Sequence, residues 1–156
     1  MQSKMSQKPS VSLVEISFFV HATEDPSRAL EAVQRMIPKP YSNVIDFRRR
    51  NLKGHHGNPI IHFLSKTRDE ETAKLLIENI ASELEPDDKL CLLSQITSHI
   101  DNKGNLYLRL DKQSAYLGES KIGHSDPIRI RIKLKLPSKS FDKIVDAYRS
   151  LDLIPQ

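Results

Sequence analysis

Residues 128–136 read IRIRIKLKL, and no other part of the chain constrains the architecture as strongly. Aliphatic residues occupy every even position, and basic residues occupy every odd position from Arg129 to Lys135. Because successive side chains of a β-strand point to opposite faces, the pattern predicts a strand with one apolar face and one basic face. The apolar face has to be buried, so we expect a sheet that is covered on one side and open on the other.

The rest of the chain alternates between predicted strands and predicted helices. Further strands are expected at 11–22, 44–52, 60–65 and 105–111, with a glycine-rich hairpin between the second and the third. Helices with one apolar stripe are expected at 26–37, 67–84, 86–99 and 141–151, and a short helical turn at 112–117. Thr67 and Glu70 have capping-box spacing, Leu90 and Leu93 face inward, and Ser138 is the expected cap of the last helix.

Most of these strands are apolar on one side and polar on the other. Such strands form antiparallel sheets that expose one face, and the helices then cover the other. The expected fold class is therefore α+β: two layers, a mainly antiparallel sheet, helices packed on one face and an open basic face. Residues 1–10 are expected to be a flexible tail, and residues 11–156 a single domain.

Composition narrows the class of protein. The chain has 156 residues, a net charge of +4 and a single cysteine, Cys91, which excludes an internal disulfide. No apolar run approaches the ~20 residues of a spanning helix, and the polar N-terminus lacks the apolar region of a secretory signal. These features predict a cytoplasmic protein with no membrane contact.

The positive charge is concentrated in one segment. Residues 121–139 hold six basic residues and one acidic residue, so this segment accounts for the whole positive excess of the chain. Arg129, Arg131, Lys133 and Lys135 would form a stripe about 20 Å long. A polyanion would neutralise the stripe and release counterions. The alternative is structural, because edge strands carry lysine against aggregation and Glu15 could pair with one of these cations.

A second basic cluster leads into the hairpin. It consists of Arg48, Arg49, Arg50 and Lys53, followed by the sequence GHHGN at 54–58. Glycines at 54 and 57 could bring backbone amides close to a phosphate. His55 and His56 could stack on bases or donate to phosphate.

Two aromatic residues, Tyr107 and Phe19, fall on the polar faces of their strands, where an aromatic ring could stack on a base. Leu13 falls on the same face as Phe19. Apolar residues at these positions would equally suit a protein-interaction surface or a homodimer.

Signals for catalysis and for metal binding are absent from the sequence. None of the six histidines stands at a recognised metal spacing, and Cys91 lies among leucines like a small core residue. Ser114 has no evident base, and no phosphate-binding glycine motif occurs. We therefore expect no catalytic residues, no metal and no cofactor.

Three segments carry a family resemblance. They are GNLYLRLDKQSAYLG at 104–118, DPIRI at 126–130 and GHHGNPI at 54–60. Together they resemble an archaeal family of predicted RNA-binding proteins that is described as exosome-associated. The resemblance covers roughly residues 11–136. It implies a fold like that of the large-subunit ribosomal protein that binds 5S ribosomal RNA, and it carries no catalytic residues.

The resemblance and the charge pattern together give the expected RNA contacts. Asp111, Lys112 and Gln113, beside Arg109, would be a binding corner, or else a structural turn in which Asp111 caps the short helix and pairs with Lys112 or Arg109. The expected RNA-binding set is Arg48, Arg49, Arg50, Lys53, His55, His56, Tyr107, Arg109, Lys112, Gln113, Arg129, Arg131, Lys133 and Lys135.

Three functions remain open at this point. The leading hypothesis is a non-catalytic RNA-binding module, with RNA and exosome components as partners. The second is a protein-interaction or dimerisation module that uses the open face, and the third is an RNA-processing enzyme.

Overall fold

In a computed structural model, which describes residues 9–136 and 140–156, five strands form one sheet. The strands are β1 Ser10–Val20, β2 Arg48–Lys53, β3 Pro59–Thr67, β4 Leu106–Leu110 and β5 Ile128–Lys135. The order across the sheet is β2-β3-β1-β5-β4, and every neighbouring pair is antiparallel. The predicted antiparallel sheet is confirmed, and β1 lies at its centre.

Six α-helices of the described chain complete the fold, with one short 3-10 turn at Lys39–Tyr41. The helices are α1 Pro26–Gln34, α2 Glu70–Glu83, α3 Pro86–Ser94, α4 Ile96–His99, α5 Lys112–Tyr116 and α6 Phe141–Ser150. None of the described helices is long and apolar enough to cross a membrane.

The core lies between the helices and one face of the sheet. On β1 and β5, Ile16, Phe18 and Ile130 are fully buried, and they belong to the same apolar core as Leu76 and Ile80 of α2. Burying each such side chain contributes about 1.5–3 kcal/mol relative to exposure. The predicted α+β class with helices on one face of the sheet is therefore confirmed.

The predicted alternation of apolar and basic side chains along β5 is also confirmed. Its even positions, from Ile128 to Leu134, are buried, whereas Arg129, Lys133 and Lys135 are exposed and Arg131 is half-buried. The sheet consequently has an outer face that no described helix covers.

Two helix predictions were wrong in detail. Helix α2 begins at Glu70 rather than Thr67, because the Asp69 carboxylate accepts from the Thr72 amide at 3.0 Å and supplies the cap. Thr67 is instead the last residue of β3.

The predicted helix over 86–99 is interrupted at Gln95, whose backbone leaves the helical region. The inward-facing positions therefore differ, with Leu90 exposed and Leu92 buried.

The second strand also starts later than expected, at Arg48. The expected cap Ser138 and residues 1–8 of the expected tail lie outside the described residues; Ser140 caps α6.

Candidate nucleic-acid interface

Strand pairing arranges the outer side chains into rows that cross the sheet. The central row, from β2 to β4, consists of Arg48, Leu64, Ser17, Arg129 and Arg109. With neighbouring strands about 4.8 Å apart, this row spans about 19 Å. Cations therefore stand at both ends of the row, with a leucine and a serine between them.

The next row holds the one acidic side chain that the five strands present on this face. Lys66, Glu15, Arg131 and Tyr107 are neighbours across the sheet. Glu15 accepts from Arg131 at 2.5 Å through one oxygen and lies 3.8 Å from the Lys66 ammonium through the other. The prediction that Glu15 pairs with a stripe cation is confirmed, and the pairing raises the pKa of Arg131.

The third row is partly aromatic. Phe19 lies beside His62, and His62 is paired in turn with Arg50. The Phe19 and His62 rings are 4.8 Å apart, and the Arg129 guanidinium stands 5.9 Å from the Phe19 ring centre. Burial, Arg50 and Arg129 together lower the pKa of His62, so its ring is neutral in the free protein near neutral pH.

Two depressions flank Leu64. The first, of about 150 Å³, surrounds Ser17 and is bordered by Glu15, Tyr107, Arg109, Arg129 and Arg131. The second, of about 420 Å³, lies toward the β2 edge and is bordered by Asp46, Arg48, Lys66 and Arg68. The outer face is therefore uneven, with Leu64 between the two depressions.

We call the outer basic side chains of the five strands the basic face. Its members are Arg48, Arg50, Lys66, Arg109, Arg129, Arg131, Lys133 and Lys135. Arg131 and Lys66 are near Glu15, and Lys135 lies 3.4 Å from Glu70. The remaining five have no carboxylate within ion-pair distance among residues 9–136 and 140–156.

The second basic cluster is divided by the sheet. Arg48 and Arg50 pair with Leu64 and His62 and lie on the outer face, whereas Arg49 and Lys53 lie on the opposite face. The division follows from the period of two in a strand, which the run of three arginines conceals. Arg49, Arg48, Arg50 and Lys53 are all exposed, so β2 presents cations on both sides.

The hairpin tip does not form the expected nest of free amides. The Gly54 amide donates to Asn58 at 2.6 Å, and the Gly57 amide donates to Gly54 at 3.0 Å. Both amides are thus used within the turn, where Gly57 has a left-handed φ of 77°. His55 and His56 are the two central residues of the turn, and both are exposed, with ring centres 5.5 Å apart.

Lys112 is not placed to contact RNA, which corrects the prediction. The residue is 2% exposed, and its ammonium donates to the Phe19 carbonyl at 2.7 Å, Glu24 at 2.9 Å and Asp126 at 2.6 Å. We call Lys112, Glu24, Asp126 and His21 the Lys112 cluster. It joins the end of β1 to the start of α5 and to the loop before β5.

The alternative of a structural turn is the correct one for this corner. Asp111 caps α5 by accepting from the amide and the hydroxyl of Ser114, at 2.9 and 2.6 Å. The expected pairing of Asp111 with Lys112 or Arg109 is not formed, because Lys112 meets Glu24 and Asp126 instead. Gln113 is exposed in the first turn of α5.

The Lys112 cluster also contains the one metal-like grouping found among the described residues. His21, Glu24 and Asp126 place ligand atoms within 4.8 Å of one another, although Asp126 is far from the other two in sequence. Burial raises the pKa of both carboxyls, but hydrogen bonds and the Lys112 ammonium hold each pKa below its ordinary value. The ammonium already contacts both carboxylates, so these residues do not fit a divalent ion.

Several residues of this face were missed by the sequence reasoning. His62, Leu64 and Lys66 of β3 all belong to it. The segment that contains β3 begins with two adjacent isoleucines, which obscure its alternation. Only the pairing of Ser17 with Leu64 and of Arg48 with Leu64 reveals which side these residues occupy.

The geometry of the sheet and its charges by itself defines a class of protein. An antiparallel sheet backed by helices, with an uncovered face of eight cations and one acid, is an α+β protein with a surface suited to a polyanion.

Comparison with known proteins agrees with this class. A family model described as RNA binding matches residues 13–134. RNA-binding protein PAB1135 of Pyrococcus abyssi is 33% identical over 147 residues, which cover 93% of this chain and 96% of that protein. The uncharacterized protein MJ0213 of Methanocaldococcus jannaschii is 34% identical over 119 residues, covering 74% and 78%.

Solved structures show the same fold. The crystal structure of protein AF2318 from Archaeoglobus fulgidus, described as a DUF54 protein, is similar to this chain with a TM-score of 0.77 and 28% identity. The match covers 90% of this chain and 99% of that one. The chain belongs to the RNA-binding family whose model it matches.

Proposed function

We propose that the protein is a non-catalytic RNA-binding module that holds single-stranded RNA on its basic face. The observation that carries this proposal is that five cations of that face have no carboxylate partner in the described chain: Arg48, Arg50, Arg109, Arg129 and Lys133. Unpaired cations this close together repel one another, and a phosphate backbone would relieve that repulsion while releasing counterions.

Single strands suit this face better than duplexes. The depression around Ser17 is bordered by Tyr107, and Phe19 lies beside it with His62. Aromatic rings on an open sheet stack on unpaired bases, as they do in other sheet-based RNA-binding domains. Phosphates would then lie against Arg48 and Arg109 at the two ends of the central row.

The proposal can be tested with a fluorescent single-stranded RNA of mixed sequence, titrated at several salt concentrations. Five neutralised phosphates predict a log–log slope of affinity against salt of about −3.5, at ~0.7 per contact on a single strand. Heparin serves as an equally charged competitor without bases. Binding that heparin removes completely would indicate a generic cation surface, and absence of binding at low salt would contradict the proposal.

The protein-interaction alternative has less support. Leu13 is only 9% exposed, and Phe19 packs against His62 and Arg129. The large exposed apolar side chains of the described residues lie off the basic face, at Val44, Leu90, Leu117 and Phe141. A homodimer remains testable by light scattering, where a concentration-independent dimer that leaves RNA unbound would favour this alternative.

We also propose, on the resemblance alone, that the module is an accessory of RNA processing that contacts the exosome. On the same resemblance we propose that its fold is like that of the large-subunit ribosomal protein that binds 5S ribosomal RNA. Co-elution with a purified archaeal exosome in size-exclusion chromatography, with and without RNA, tests the contact. Incubation with labelled RNA, with and without divalent metal, tests for catalysis, and products in either case would contradict the non-catalytic assignment.

A further inference from the structure

We infer that the depression around Ser17 is a subsite for one guanine base of the bound RNA. The inference rests on the proposed function, since it assigns a base to the same face. It is carried by two observations: the shape of the depression and the presence of Glu15 at its border.

The shape comes from one small side chain. Ser17 stands in the middle of the central row, between Leu64 on one side and Arg129 on the other. Both neighbours are much larger, so a space of about 150 Å³ opens above the serine. Leu64, the Tyr107 ring and the arginine side chains border that space with flat or apolar surface, which suits the face of a base.

Glu15 is the feature that phosphate binding does not explain. An acid among eight cations weakens the attraction of the face for a phosphate backbone. A carboxylate is, however, an acceptor for the N–H groups on the edge of a base. Each carboxylate oxygen has one basic partner, Arg131 or Lys66, and each can accept a further hydrogen bond.

Guanine matches this set of groups best among the four bases. Its N1–H and its N2 amino group are adjacent donors that two oxygens of one carboxylate can accept together. Its O6 and N7 atoms are acceptors for an arginine, and Arg109 and Arg129 border the same depression. Adenine, cytosine and uracil each offer the carboxylate fewer adjacent donors on that edge.

The test uses a short oligouridine with a single central G, A, C or U, measured by fluorescence anisotropy at one salt concentration. We expect the G-containing RNA to bind roughly 5- to 100-fold more tightly than the all-U RNA, as for one bidentate base contact. Ser17→Ile fills the depression without changing charge. It should abolish the preference, so that the G-containing RNA and the all-U RNA bind with equal affinity.

Glu15→Gln removes the carboxylate and should also abolish the preference for G. Its matched control is Glu70→Gln, because Glu70 pairs with the basic-face residue Lys135 but does not border the depression. The control should keep the preference. Thermal unfolding of all three variants establishes that each is folded.

The outcomes separate the two proposals. Equal affinity for all four RNAs, or a preference for C or A, overturns the guanine subsite and leaves RNA binding by the face intact. A G preference that survives in folded Ser17→Ile or Glu15→Gln also overturns it, because the base then binds elsewhere. No binding of any RNA contradicts the proposed function itself.

Discussion

The basic face and the Lys112 cluster use the same residue types in opposite balance. In the cluster, one buried ammonium is shared by two carboxylates and a carbonyl, so its charge is fully compensated inside the protein. On the face, eight cations share Glu15 and, at one end, Glu70. A cation that pairs with acidic groups of the same chain stabilises the fold, whereas a cation without an acidic partner is available to a ligand.

The largest expected effect comes from removing the compensated cation. Lys112→Met would leave Glu24 and Asp126 without their ammonium, and Glu24 is largely buried. Breaking a buried pair from one side costs about 3–5 kcal/mol; because Asp126 is partly exposed, we expect about 3 kcal/mol of the free energy of unfolding, measured in urea.

Lys133→Met is the matched control for this prediction, because it removes the same charge from an exposed position of the basic face. It should change the free energy of unfolding by less than about 0.5 kcal/mol and weaken RNA binding. If Lys133→Met is more destabilising than Lys112→Met, the assignment of a structural role to Lys112 and of a binding role to Lys133 is contradicted.

A smaller effect on the free energy of unfolding is expected when the pH is lowered. The pKa values of Glu24 and Asp126 are held below their ordinary values of 4.5 and 3.8 in the folded protein. The stability they contribute is therefore complete above those ordinary values and is lost as the pH falls through the lowered ones. Unfolding in urea across this acidic range should show a steeper loss of stability for the wild type than for Lys112→Met. Parallel curves would mean that the carboxylates do not depend on Lys112.

The smallest expected effect is a pH dependence of RNA affinity that arises from His62 on the basic face. Its pKa is lowered by burial and by Arg50 and Arg129, so it favours folding in its neutral form, and this contribution is lost as the pH falls below 6.5. A bound phosphate would raise the pKa, so RNA affinity should rise a few-fold from about pH 8 to pH 6.

His62→Gln should flatten the pH dependence of RNA affinity. His124→Gln, an exposed histidine in the loop before β5, should leave it unchanged. An identical pH profile for both variants would show that phosphate does not approach His62.

The fold followed from local patterns, whereas the site depended on long-range register. The alternation of β5 and the capping role of Asp111 each involve a residue and its near neighbours in the chain, so they could be predicted. The burial of Lys112 could not, because its two acidic partners come from distant loops that only the folded chain brings together. The division of the β2 cations likewise became visible only through pairing with β3.

Strand β2 offers the most direct test of the central claim, that the uncovered face binds RNA. Arg48→Gln with Arg50→Gln removes two cations from that face, and Arg49→Gln with Lys53→Gln removes two from the other side of the same strand. Salt titration of RNA affinity should give a slope shallower by about 1.4 for the first pair, at ~0.7 per phosphate, and a wild-type slope for the second. Equal slopes for the two double variants would contradict the account, because the side of the strand would then be irrelevant to RNA binding.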